Sequence, residues 1–250
     1  MTQALKIDLT FDRPDLRVWT HRGESARLVV CFSGVGPNAD EPPGYEFAAT
    51  AAGQGRDSVL YIADPGRSWL NAPGLIEAVV GQVERFAEEI GAEQVCAIGH
   101  SMGGFAACVL PDFTKIDVAV AMSPQASVHP DIAWDDPRWM EYRDKIDSFR
   151  VRHVEDHICA GTQYFTIFGM HPREAPQRKR FPVAENIELL RMPKTHHNTA
   201  QRLRAKGLLD AVVQAGFDRR IYRVRRLIRR NFGVPFRDTN QIREGSLPVV

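Results

Sequence analysis

No segment of this 250-residue chain approaches the roughly 20 consecutive apolar residues that a transmembrane helix requires. Its first eight residues, Met1 to Asp8, hold no apolar stretch of signal-peptide length, so a cytoplasmic chain is expected. Charge of one sign is also missing. The formal net charge is +1, which removes any general electrostatic attraction to nucleic acid. Cysteine is sparse, at four residues (Cys31, Cys96, Cys108 and Cys159), and their scatter has no metal-ligand spacing. Cys31 and Cys96 fall inside apolar runs, where a reduced cysteine behaves as a small hydrophobe. Internal repeats and low-complexity segments are absent, so neither a solenoid nor a disordered linker is indicated.

What is present reads as one globular chain with a sizeable core. Hydrophobic content of 44% and charged content of 25% are ordinary for such a chain. Alternation at Leu5, Ile7, Leu9 and Phe11 and a short run from Leu16 to Thr20 predict two edge strands. Arg27 to Phe32, Ser58 to Ala63, Val95 to Ile98 and Asp117 to Met122 predict buried strands, with Tyr164 to Phe168 and Asn186 to Met192 as the last two. Helical spacing of Ile76, Val79, Val80, Val83, Phe86, Ala87 and Ile90 marks a helix, with Asn71 as its cap, Pro73 in its first turn and Gly91 past its end. A second helix is predicted from Thr199 to Val213. Strands alternating with helices imply a mostly parallel sheet covered on both faces, with the site outside the carboxyl ends of the strands.

One stretch carries chemistry of its own. Gly99-His100-Ser101-Met102-Gly103 matches G-x-S-x-G and lies between a predicted strand and the helical run Phe105 to Leu110, the context of a nucleophile elbow. A serine hydroxyl needs a base, and the base needs a carboxylate to orient it. His196 and His197 follow the last predicted strand, directly before a helix. Glu174 is the only carboxylate in the loop Gly169-Met170-His171-Pro172-Arg173-Glu174. Donors for an oxyanion are expected from the N–H of Met102 and from Gly34 or Val35 in the glycine-rich loop after Phe32. Asp64 and Arg67, at a predicted strand end, offer either a site for a polar substrate group or a loop ion pair, with Trp69 beside them. Trp134, Trp139, Met140 and Tyr142 either wall the site or pack the irregular stretch 124–160 onto the body.

These stretches together resemble the α/β-hydrolase superfamily: Cys31-Phe32-Ser33-Gly34-Val35-Gly36, Gly99 to Gly104, and His197-Asn198. More narrowly they resemble a bacterial group of small serine hydrolases sometimes found near polysaccharide-related genes. That likeness also takes in Asp64 to Trp69, Met122 to Gln125, Asp136-Pro137-Arg138-Trp139 and Gly207 to Leu209, and spans roughly Arg27 to Val213. It implies an α/β-hydrolase fold and ester or thioester chemistry without a cofactor or metal. It places the base at the histidine before asparagine, His197, and an acid near Glu174, where aspartate is more usual. A strand-end aspartate directly after Phe168 is replaced here by Gly169-Met170.

The expected organisation is therefore a hydrolase domain over 1–215, with a cap-like insertion at 124–160, followed by a basic helix and tail over 216–250. Ser101, His197 and Glu174 form the candidate catalytic set, Met102 with Gly34 and Val35 the candidate oxyanion hole, and Asp64, Trp69 and Trp139 the candidate substrate contacts. The substrate is a small or acylated molecule. Three activities remain open: hydrolysis through an acyl-enzyme, acyl transfer to a sugar or other alcohol, and a non-catalytic scaffold. In the basic segment Phe217, Ile221, Val224 and Ile228 share one helical face and arginines crowd the rest. Such a helix either docks by that stripe or meets an anionic membrane or acidic partner over 216–231.

Overall fold

A computed structural model describes residues 5–233. Its centre is one sheet built from β1 (Asp8–Arg13), β2 (Leu16–His21), β3 (Arg27–Phe32), β4 (Ser58–Ala63), β5 (Gln94–His100), β6 (Val118–Met122), β7 (Gln163–Gly169) and β8 (Ile187–Met192). The order across the sheet is β1-β2-β4-β3-β5-β6-β7-β8. β1, β2 and β4 pair antiparallel; β4, β3, β5, β6, β7 and β8 run parallel. The parallel strands are apolar because both of their faces are covered, and adjacent residues feed opposite cores. Leu28, Val30 and Phe32 of β3 enter one core, and Val29 and Cys31 enter the other.

The first core is closed by α2 (Leu75–Ile90) and α3 (Met102–Val109). Ala126, Val128, Val151 and Val154 of the irregular stretch join the same core, so that stretch lies against the sheet rather than apart from it. Its regular structure is a single helical turn, α4 (Met140–Arg143), and a 3-10 turn at Val154–His157. Trp134 does not pack there; it is 74% exposed, and Met140 is also exposed. The second core is closed by α6 (Thr199–Ala205), α7 (Leu209–Phe217) and α8 (Ile221–Phe232), with the short α1 (Ala48–Ala51) at its edge. One further short helix, α5 (Ala175–Arg180), follows the turn after β7.

Several predicted boundaries move. The first edge strand is Asp8–Arg13 rather than Leu5 to Phe11, and its pairing with β2 shifts register between Leu9 and Phe11. Asn71 does not cap α2. Its amide bonds the Ser68 and Trp69 carbonyls and accepts the Val151 N–H, while Gly74, at φ 73°, occupies the cap position. The helix predicted over Thr199 to Val213 is two helices, broken where Gly207 turns left-handed at φ 65°.

α8 docks by its apolar stripe: Val224 and Ile228 are buried in the second core, and Arg225 makes a two-pronged contact with Glu188 of β8 at 2.6 and 2.7 Å. Phe217 belongs to α7 instead of this stripe. Arg219, Arg223, Arg226 and Arg230 stand exposed, with Tyr222 at 84% exposure. The predicted tail beyond Gly233 lies outside the described residues. No helix among the described residues is long and apolar enough to cross a membrane.

Gly216 seats α7 on the sheet, since a Cβ there would stand 3.0 Å from Val120 Cγ2 and 3.6 Å from Phe165. Gly216→Leu overpacks this contact, at a cost of about 1–3 kcal/mol or a fall of roughly 2–10 °C in Tm. Gly81→Ala, at an exposed position of α2 with open space around it, raises stability by about 0.5–1 kcal/mol. Thermal unfolding of the two variants checks both signs.

Candidate active site

β5 ends in a turn so tight that two of its residues have no room for a side chain. A Cβ at Gly99 would lie 2.1 Å from the Gly103 carbonyl oxygen, and one at Gly103 would lie 2.3 Å from the Phe32 carbonyl oxygen. The residue between them, Ser101, sits at φ 57° and ψ −121°, a strained conformation for a residue with a Cβ. Its N–H is held by the Met122 carbonyl at 2.9 Å. Met102 then opens α3, so its N–H has no acceptor within the helix and lies at the positive end of the helix dipole.

The loop after β8 brings His197 onto this serine. Ser101 Oγ donates to His197 Nε2 at 2.8 Å, and His197 Nδ1 donates to Glu174 Oε2 at 2.9 Å. The three residues come from turns after β5, β7 and β8, all at the carboxyl edge of the sheet. His196 is turned away and stacks on His171, with ring centroids 3.6 Å apart.

Gly169 explains the departure at the end of β7. A Cβ there would lie 2.1 Å from the His196 carbonyl oxygen and 2.4 Å from that of Thr195. The base loop rests directly on this glycine, so a strand-end aspartate has no space. The carboxylate that reaches His197 comes instead from the 3-10 turn Pro172–Glu174, five residues further on, through the longer glutamate side chain.

No protein-family model and no curated protein matches the sequence. Comparison with solved structures does find matches. The esterase Pf2001 of Pyrococcus furiosus is 17% identical with a TM-score of 0.55, over 87% of this chain and 91% of that one. The capsule O-acetyltransferase of Neisseria meningitidis serogroup A is 14% identical with a TM-score of 0.59, over 84% and 94%. XC6422 of Xanthomonas campestris, an α/β serine hydrolase without a lid, is 17% identical with a TM-score of 0.52, over 86% and 94%. This is the α/β-hydrolase fold.

Within the α/β-hydrolase fold the remaining candidates separate into those that face the serine and those that stand behind it. Of the two loop candidates, the Gly34 N–H is bonded to Glu46 Oε1 at 3.2 Å. Arg67 holds that loop in place. Its guanidinium donates to the carbonyls of Val35, Asn38, Glu41 and Pro65 and forms no pair with Asp64. Asp64 is a correction: it is buried, and its Oδ2 receives the Ser68 N–H and hydroxyl, so it shapes the loop and does not present itself to a substrate. Trp69 is also set one layer back, with 0% exposure, because its indole N–H donates to Gln125 Oε1. Trp139 is half-buried, its ring 5.3 Å from the His197 ring and 6.5 Å from that of Trp69.

Three residues at the site escape a sequence reading. Gln125, just beyond β6, donates its amide to Ser101 Oγ at 3.0 Å, so the hydroxyl accepts from Gln125 while donating to His197. Arg138 reaches Glu174 Oε1 at 2.5 Å. Glu46 buttresses the oxyanion loop. The first two lie in stretches that carried the family likeness; nothing in its local sequence marks Glu46.

The electrostatics follow from burial and pairing. Burial opposes ionisation of Glu174, but the hydrogen bond and charge of His197, together with Arg138, outweigh it and hold the carboxyl below its usual range. His100, beneath the base, is pushed down to about 4, chiefly by burial and then by the His197 charge. It is therefore neutral at pH 7 and donates Nε2–H to the His197 carbonyl at 2.6 Å. Burial raises Glu46 despite the Gly34 N–H and the nearby Arg204. No cluster able to hold a metal occurs among the described residues. A relay of this kind can move a proton from Ser101 to His197 while Ser101 attacks an electrophile, with Val35 and Met102 N–H groups receiving the negative charge.

Glu46→Gln keeps an acceptor for the Gly34 N–H and should label with a fluorophosphonate within about threefold of wild type. Glu46→Ala releases the loop that aims one of two oxyanion donors, each worth about 10²–10³ in rate. It should label tens of times more slowly. Labelling rates of the two purified variants check this difference.

Proposed function

We propose that the chain is a serine hydrolase that cleaves a carboxylic ester or thioester through an acyl-enzyme. The observation that carries this reading is the unbroken relay from a strained Ser101 to His197 at 2.8 Å and on to Glu174 at 2.9 Å. Ser101 Oγ attacks the acyl carbonyl as His197 Nε2 takes its proton. The imidazolium so formed is stabilised by Glu174, and the oxyanion is received by the N–H groups of Met102 and Val35. His197 then returns the proton to the departing alcohol or thiol, and water repeats the sequence in reverse to release the acid. The names of the fold neighbours, two of them an esterase and a serine hydrolase, point the same way.

Transfer of the acyl group to a hydroxyl acceptor is the second reading, supported by the name of one fold neighbour. The Neisseria neighbour is an O-acetyltransferase by name.

Fluorophosphonate labelling tests the enzyme reading directly. Wild type is expected to label and Ser101→Ala to remain unlabelled; equal labelling of the two removes Ser101 as nucleophile and leaves a scaffold protein. Release of acid from short-chain esters and thioesters, with and without saccharide acceptors, then separates hydrolysis from transfer.

A further inference from the structure

Arg138 is a cation set directly against the distal oxygen of the candidate acid, and it comes from the irregular stretch between β6 and β7, not from the elements of the relay. Its Nη1 donates to Glu174 Oε1 at 2.5 Å. Its Nε and Nη2 grip Asp136 Oδ1 and Oδ2, both at 2.8 Å. Asp136 Oδ2 also receives the Gln177 amide at 2.9 Å. Gln177 is fixed in turn by the Ala126 and Ser127 N–H groups and the Ser127 carbonyl. The guanidinium stacks over Trp139, 4.4 Å from its ring centre, and that ring flanks His197.

We propose that Arg138 is a positioning residue for the triad: it is the shared counter-ion that lets two buried carboxylates, Asp136 and Glu174, both stay ionised, so that Glu174 can orient and stabilise His197. This rests on the reading of Ser101, His197 and Glu174 as a catalytic relay. The two carboxylates are 2% and 3% exposed and converge on one guanidinium. Without a cation between them, each such group disfavours the charge of the other, and the pair gains proton affinity. The Asp136 carboxylate is held below its usual range by Arg138 and Gln177 against the opposing effect of burial. Other titratable groups interacting with Glu174 are His197 itself, His100 beneath it and His171 on the preceding turn, with Arg173 beside His171. None of these touches Oε1, the oxygen that Arg138 fixes. The bidentate grip on Asp136 also fixes the guanidinium plane, which a flexible ammonium would not do.

Removing a cation raises the proton affinity of the whole coupled relay, so the acid limb of its pH profile moves up. Removing Asp136 as well restores the charge balance and moves the limb back. This sign pattern separates charge from mere packing. The experiment measures fluorophosphonate labelling rates from pH 5 to 9 for wild type, Arg138→Gln, Arg138→Lys and the double variant Asp136→Asn with Arg138→Gln. Circular dichroism confirms folding, and proton NMR follows the downfield Nδ1–H of His197.

Arg138→Gln is expected to label about a hundredfold more slowly at pH 7, because an unoriented base costs up to about 10⁴. Its acid limb rises by about one pH unit or more, and the downfield proton is lost. The double variant recovers at least tenfold in rate, with the limb near wild type. Arg138→Lys, which keeps the cation, retains the wild-type limb with an intermediate rate, and an upward displacement of its limb overturns the proposal even if both glutamine variants fail to fold. Labelling of Arg138→Gln or Arg138→Lys at the wild-type rate overturns the proposal. A slower Arg138→Gln whose pH limb is not displaced upward, or a double variant slower than Arg138→Gln, overturns it too by reducing Arg138 to packing. Absence of labelling in wild type instead removes the underlying reading of Ser101, a different result from any of these.

Discussion

The closeness of β5 to its neighbours at Ser101 is the constraint on which the rest of the site depends. Gly99 and Gly103 bring backbone within reach of backbone, where any side chain would lie little more than 2 Å from a carbonyl oxygen. That packing holds Ser101 in a left-handed conformation that a free chain would leave. The strain is sustained by the two cores, because α3 is buried along its whole length and cannot shift to relieve it. The same turn brings Oγ within reach of His197 and places the first N–H of α3 on the next residue, so the candidate nucleophile and a candidate oxyanion donor share one cause.

A second close approach decides where the acid comes from. The loop carrying His197 lies on Gly169, which leaves no room for a side chain at the strand end, and the carboxylate bonded to His197 is that of a glutamate on the following turn. A glutamate has one more rotatable bond than an aspartate and needs more restraint to hold one oxygen on His197. Arg138 and Asp136, from a stretch with little regular structure of its own, hydrogen-bond behind that glutamate, and Gln177 of α5 holds Asp136. The irregular stretch is thus part of the site's framework as well as part of the first core.

Much of the fold was legible from local pattern. Arg27 to Phe32 and Ser58 to Ala63 match their strands end for end, because a strand covered on both faces must be continuously apolar and is bounded where polarity returns. Ser101 was legible for a similar reason, since the flanking glycines, the preceding strand and the following helix are all encoded within a dozen residues. Helix starts were less so: Asn71 looks like a cap, yet its amide is used by Ser68, Trp69 and Val151. Asp64 and Trp69 read as substrate contacts for want of any sign that Ser68 and Gln125 would claim their polar atoms.

Strand spacing and the elbow motif therefore already specified the architecture and the candidate serine, while His197 rather than His196, and an acid near Glu174, were what the family resemblance implied. Spacing and motif could do so because burial and turn geometry impose periodicities and glycines that act over short range. Which oxyanion N–H is free, which oxygen of Glu174 is left for His197, and which tryptophan borders the site were set by contacts between distant parts of the chain. Glu46 meets Gly34 across a loop, Arg138 meets Glu174 across β7, and Trp69 meets Gln125 across β5 and β6. Such pairings leave no periodic trace, because a buried polar atom requires a partner but does not prescribe where in the sequence that partner stands.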